Sequence, residues 1–125
     1  MKHHLTARQL IVGHDECILR YGGLSGVPDP LKVQVLIERV RNYEYYEGVD
    51  NVFALAAMYC IAIARGRVFL DGNKRTAINA TYVFLKENGI KTRALPDLEE
   101  TILKVATGEI KVDELTDYFS QAFGN

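Results

Sequence analysis

The sequence predicts an all-α fold, a compact bundle of about six helices in a single domain spanning residues 1–125. Three observations carry that expectation. Apolar residues recur at helical spacing in segments bounded by capping residues, residues 52–64 form an unbroken apolar, alanine-rich run, and no stretch alternates long enough to build a sheet. A chain of 125 residues, 48% of them hydrophobic, can bury one core without disulfides or a structural metal.

The helices are justified in chain order. Thr6 followed by Gln9 makes a capping box, with Leu5 and Leu10 placed as a hydrophobic staple. From there Leu10, Ile11, His14, Cys17, Ile18 and Tyr21 form one stripe, and Gly22-Gly23 supplies the stop. Residues 24–30 read as a loop. Asp29 as N-cap and Pro30 at the first helical position open a second helix, with Val33, Leu36, Ile37 and Val40 inward and an end near Asn42. A Tyr43-to-Gly48 connection leads to Asp50 or Asn51, either of which caps the apolar helix over residues 52–64. That helix has no polar face, so the others are expected to surround it.

A fourth helix runs from Lys74 or Arg75 to Glu87, with Ile78, Val83, Phe84 and Leu85 as core contacts and Asn88-Gly89 at its end. Residues 90–96 are extended at most. Asp97 with Glu100 caps a fifth helix that stops at Gly108, and a sixth, from about Val112 to Phe123, carries Leu115, Tyr118, Phe119, Ala122 and Phe123.

Composition narrows function chiefly by exclusion. A net charge of −1 with 25% charged residues matches neither a disordered tail nor a strongly basic nucleic-acid binder, so no direct nucleic-acid partner is expected. The apolar run falls short of the ~20 residues that cross a bilayer, so no membrane span is expected either. Cys17 and Cys60 sit in apolar helical patterns without a Cys/His ligand cluster, and because the N-terminus leads straight into a helical pattern no signal peptide is expected. Reduced core thiols and a cytoplasmic location follow as expectations.

The stretch Arg67-Val68-Phe69-Leu70-Asp71-Gly72-Asn73-Lys74-Arg75 carries the chemistry. It places a carboxylate, an amide and two cations around one glycine, immediately before a helix. Backbone N–H groups at a helix start favour anions, and Gly72 can adopt a positive φ that turns successive N–H groups inward. Lys74 and Arg75 add charge. The pattern reads as a phosphate cradle formed by Gly72, Asn73, Lys74 and Arg75, although a plain turn and helix cap would use the same residue types.

These residues resemble the Fic/Doc superfamily, and within it the Doc (death-on-curing) toxins of bacterial toxin–antitoxin modules. The signature there is His-x-Phe-x-(Asp/Asn)-(Gly/Ala)-Asn-(Gly/Lys)-Arg between two helices of a small all-α fold. Phe69, Asp71, Gly72, Asn73, Lys74 and Arg75 fit it. His14, Tyr21-Gly22-Gly23-Leu24, Gly26 and Ala106-Thr107-Gly108-Glu109-Ile110 resemble other Doc segments. Glycine at the position of Lys74 goes with AMP transfer in larger Fic proteins. Lysine there implies a reversed nucleotide and transfer of the ATP γ-phosphate, in Doc proteins to a threonine of translation elongation factor Tu. The resemblance further implies ATP with Mg²⁺, and an antitoxin whose disordered segment folds to a helix in a groove. By the same reasoning Asp71 would hold Mg²⁺ or orient the attacking hydroxyl, Asn73 would donate to a phosphate, and Phe69 would anchor the loop.

One position departs from the signature. The family histidine is a general base, and here Arg67 stands in its place. A guanidinium stays protonated to above roughly pH 12 and accepts no proton. Losing a general base costs about 10²–10⁴-fold in rate, so the chain is expected to be inactive or nearly so. Either the protein has drifted to a non-catalytic role, or a single-base change disabled it while a toxic protein was being produced. The intact remainder of the motif favours the second. A third route uses His14 as base, although its place on the apolar stripe suits a satisfied core histidine. His3 and His4 are expected to be solvated, Tyr43, Tyr45 and Tyr46 to pack half-buried, and Arg65 either to reach the phosphate site or to pair with a surface carboxylate.

Overall fold

A computed structural model describes residues 2–26 and 29–124 of the chain. It is all helical, with six helices among the described residues: α1 (Ala7–Tyr21), α2 (Pro30–Glu47), α3 (Val52–Gly66), α4 (Asn73–Glu87), α5 (Leu98–Ala106) and α6 (Val112–Phe123). The Thr6–Gln9 capping box opens α1, with Leu5 and Leu10 both buried beside it. Asp29 caps α2 through the Leu31 N–H, and Pro30 takes the first helical position. Positions 27 and 28 of the expected 24–30 loop lie outside the described residues.

The apolar helix α3 is the hub. Asn51, rather than Asp50, caps it by accepting from the N–H groups of Phe53 and Ala54. It packs most heavily on α4 and α6 and less on α2 and α5, while α1 lies across α4 and α2. Tyr59, Phe84, Phe119, Ile37 and Leu55 are the large side chains of the resulting core. The envelope around α3 is incomplete, because Ile61 and Ala62 are only partly covered.

Four expectations are corrected. Helix α2 does not end near Asn42 but continues to Glu47, where Gly48 at φ 68° forms a left-handed C-cap; the tyrosine-rich stretch is its last turns. Tyr45 and Tyr46 on those turns are exposed rather than half-buried. Asp97 precedes α5 but makes no side-chain cap; its Oδ1 instead accepts from the Tyr118 hydroxyl at 2.6 Å, which ties α6 to the start of α5. His4 is not solvated. Its Nε2 donates to Glu44 at 2.8 Å, and its Nδ1 meets the Tyr59 hydroxyl at 2.6 Å. The Lys2 N–H donates to the same carboxylate at 3.0 Å, so the N-terminal segment is fastened to α2 and α3.

Candidate functional site

The loop between α3 and α4 is held from beneath by its own residues and by α1. Phe69 is buried and stacks face to face on His14, with ring centroids 3.9 Å apart and planes 4° from parallel. His14, fully buried in α1, donates from Nε2 to the Asp71 carbonyl at 2.7 Å. That bond fixes the proton on Nε2. With its ring enclosed, His14 is a brace for the loop and offers no exposed nitrogen as a base, so the third route to a proton acceptor closes.

Asn73 completes the brace. Its Oδ1 accepts from the Phe69 N–H at 3.1 Å and its Nδ2 donates to the Phe69 carbonyl at 2.9 Å, pinning the loop's descending limb to the first turn of α4. Only the second amide hydrogen of Asn73 remains for a ligand. Gly72, at φ 77°, is the N-cap of α4 and supplies no side-chain cap. The N–H groups of the first turn, at Asn73, Lys74 and Arg75, therefore open toward solvent with the positive end of the helix dipole behind them. A Cβ at Gly72 would stand 3.0 Å from Ile18 Cδ1, in a backbone region that side chains rarely adopt.

Asp71 faces the opposite wall. Its Oδ2 accepts from the Leu24 N–H at 3.1 Å and its Oδ1 from the Gly72 N–H at 2.8 Å. Those two bonds, with a smaller contribution from Lys74, hold the exposed carboxyl below its usual range. The segment after α1 is thereby clasped to the loop, and Gly23 at φ 119° makes this possible, since a Cβ there would come within 2.8 Å of Asp71 Oδ2. Lys74 is exposed. Arg75 lies over the Tyr21 ring, 3.9 Å from its centroid, and 3.8 Å from Glu99 on α5. It reaches into a groove of about 350 Å³ between α1, α4 and α5, lined among others by Cys17, Ile78 and Leu95.

Arg67 caps α3 in the left-handed conformation, φ 48° and ψ 46°, the one positive-φ residue other than glycine among the described residues. Arginine is a poor occupant of that region, where Asn, Asp and His are several-fold enriched. The backbone at position 67 thus suits a histidine better than the residue it carries. Arg65 forms no ion pair among the described residues; its guanidinium lies near Gly108.

The site residues named from the sequence are neighbours along the chain, Arg67 at the end of α3 and Asp71, Gly72, Asn73, Lys74 and Arg75 across the turn into α4, but Arg67 lines a groove against α2 whereas Arg75 reaches the groove between α1, α4 and α5. Sequence reasoning missed the brace of His14 and the clasp through Gly23 and Leu24. The signal was present in the Tyr21-Gly22-Gly23-Leu24 segment, whose glycines serve both the helix stop and the approach of Asp71. Among the described residues no cluster of His, Cys, Asp or Glu is arranged to hold a metal on its own. The ionised carboxylate of Asp71 is a single oxygen donor of the kind a Mg²⁺ ion takes.

Comparison with known proteins supplies the family. The family model described as the Fic/DOC family matches residues 4–85, which include α1, the brace, the loop and α4 up to Leu85. The chain belongs to the Fic/DOC family. It is 39% identical over 122 residues to "Protein kinase doc" of Escherichia phage P1, covering 98% of this chain and 97% of that protein. It is 31% identical over 103 residues to "Toxin Doc" of Mycolicibacterium smegmatis, covering 78% of each. The Fic/DOC match includes both Arg67 and the residues that hold the loop around it.

Proposed function

We propose that the chain is the toxin of a bacterial toxin–antitoxin module, built as a protein kinase for a hydroxyl of translation elongation factor Tu and disabled by Arg67. The observation that carries this reading is the α4 N-terminus. Uncapped N–H groups and Lys74 stand beside an ionised Asp71, with Arg75 next along the same turn though laid over Tyr21, on a loop that His14, Phe69 and Asn73 brace. Phosphoryl transfer needs positioning and charge neutralisation more than covalent chemistry, and this arrangement suits both.

In this reading the cradle of Gly72, Lys74 and Arg75 takes the phosphates of ATP, and Lys74 orients the nucleotide so that its γ-phosphate faces the acceptor. Asp71 would be the residue to hold Mg²⁺, which when bound would supply charge neutralisation at the phosphates. The residue at position 67 would take the acceptor's proton. Arg67 cannot, and it adds a fixed cation beside the phosphates. The groove between α1, α4 and α5 receives an antitoxin helix, whose arrival would cover Arg75 and Tyr21.

Arg67 also favours a second reading, in which the chain is a non-catalytic antitoxin-binding module. Label on the α- or γ-phosphate of ATP tests the first reading in the Arg67→His protein with elongation factor Tu as acceptor. Transfer of γ-label alone is expected, with the unaltered chain slower by about 10²–10⁴-fold. Transfer of α-label would make the protein an AMP transferase of the Fic type, and transfer of neither label by Arg67→His would leave the binding module.

A further inference from the structure

A second groove, of about 590 Å³, runs between α2 and the C-terminal half of α3 and ends at Arg67 and Val68. Its floor is apolar: Leu36, Ile61, Ala62 and Val68. On this side Ile61 and Ala62 of α3 are only partly covered, although α2 packs against the same helix. Leu31 and Val35, 72% and 52% exposed, extend the apolar surface onto α2. The rim carries Lys32, Arg39, Arg65 and Arg67, and no carboxylate among the described residues lines the groove. None of these cations forms an ion pair among the described residues. The groove between α1, α4 and α5 differs, since Glu16 and Glu99 balance Arg20 and Arg75 there.

We propose that the α2–α3 groove docks an acidic segment of the acceptor protein, its apolar side chains on the floor and its carboxylates on the cationic rim. The proposal rests on the kinase reading for the identity of the occupant, and on the groove's own chemistry for its class. A chain seated there runs directly to position 67, so a hydroxyl at its end would be delivered to the residue that must take its proton. A nucleic acid would use the cations but not the aliphatic floor, and among the described residues no aromatic side chain lines the groove as a stacking platform.

The test has two arms that fail separately. In the first, a peptide alternating Glu and Leu around one Thr is titrated into the ¹⁵N-labelled chain. Shifts confined to Lys32, Val35, Arg39, Ile61 and Val68 are expected, and they should weaken with salt and vanish in the Lys32→Glu/Arg39→Glu variant. No shifts, shifts elsewhere, or equal shifts with the Gln-for-Glu peptide would overturn the proposal. Displacement of the acidic peptide by oligouridylate at equal concentration would assign the groove to nucleic acid and overturn it too. No phosphate moves in this arm, so it is independent of the kinase reading.

In the second arm, Lys32→Glu/Arg39→Glu is added to the Arg67→His protein. The KM for elongation factor Tu should rise about tenfold, with kcat and the KM for ATP unchanged, as rim charges act on encounter. An unchanged KM for the acceptor would overturn the proposal. A fall in kcat would do the same, provided that circular dichroism and the milder Lys32→Gln/Arg39→Gln variant show the fold intact. Absence of any transfer by Arg67→His would count against the kinase reading and leave the peptide result to decide the groove.

Discussion

Arg67 concentrates two departures in one residue: a cation where the family signature has a base, and a bulky side chain in the left-handed region. The first was legible in the sequence; the second was not, because φ at a helix C-cap depends on where the next segment must turn. Placing a β-branched residue there should make the strain plain. Arg67→Val is expected to lower stability by about 1–2 kcal/mol, measured by urea unfolding, whereas Arg67→His should be neutral or slightly stabilising. An equal loss for both would mean that the backbone relaxes freely at this position. Phe69 shows the other side of legibility. Its role as an anchor was readable, but its stacking on His14 requires α1 and the loop to be brought together by the fold. Phe69→Ala should cost about 3–5 kcal/mol through the cavity it leaves, although alanine keeps the backbone groups that bond Asn73. Asn73 was read as a phosphate donor, yet most of its amide is spent on Phe69, a partner four residues back that no spacing rule would single out.

At the scale of elements, the helices and most of their caps were legible because the signals are local: Thr6 with Gln9, Asp29 with Pro30, and Asn51 before the apolar run. The failures came where a tertiary partner competed with the local one. Asp97 gave up its cap for Tyr118, and α2 ran on past Asn42 because Glu44 on its fourth turn is held by the N-terminal segment. That attachment has a pH signature. Burial pushes the Glu44 carboxyl up, but hydrogen bonds from His4 and the Lys2 N–H outweigh it and hold the carboxyl below its usual value. A depressed carboxyl contributes stability that is full above its unfolded value, about 4.3, and is lost as the pH falls through the folded value. The chain should therefore lose stability below about pH 4, and Glu44→Gln should flatten that part of the profile of urea midpoint against pH. An unchanged acid limb in Glu44→Gln would show that other carboxylates govern it.

Across the whole molecule, the sequence's clearest global signal was the apolar helix α3, and it led to an all-helical hub: α2, α4, α5 and α6 pack on α3, while α1 lies outside on α4 and α2. What it could not reveal is that the ring is open along Ile61 and Ala62, since the same composition would serve a fully enclosed helix. The opening reaches the α3–α4 loop at Arg67, so that the apolar hub, the cationic groove and the N-terminus of α4 share one end of the bundle. In this account the machinery of a toxin is intact around a single wrong side chain. Growth of bacteria producing the chain or its Arg67→His variant, without antitoxin, tests that claim most directly. Arrest by Arg67→His alone, with the unaltered chain harmless at equal expression, is the predicted result; arrest by the unaltered chain, or by neither, would contradict it.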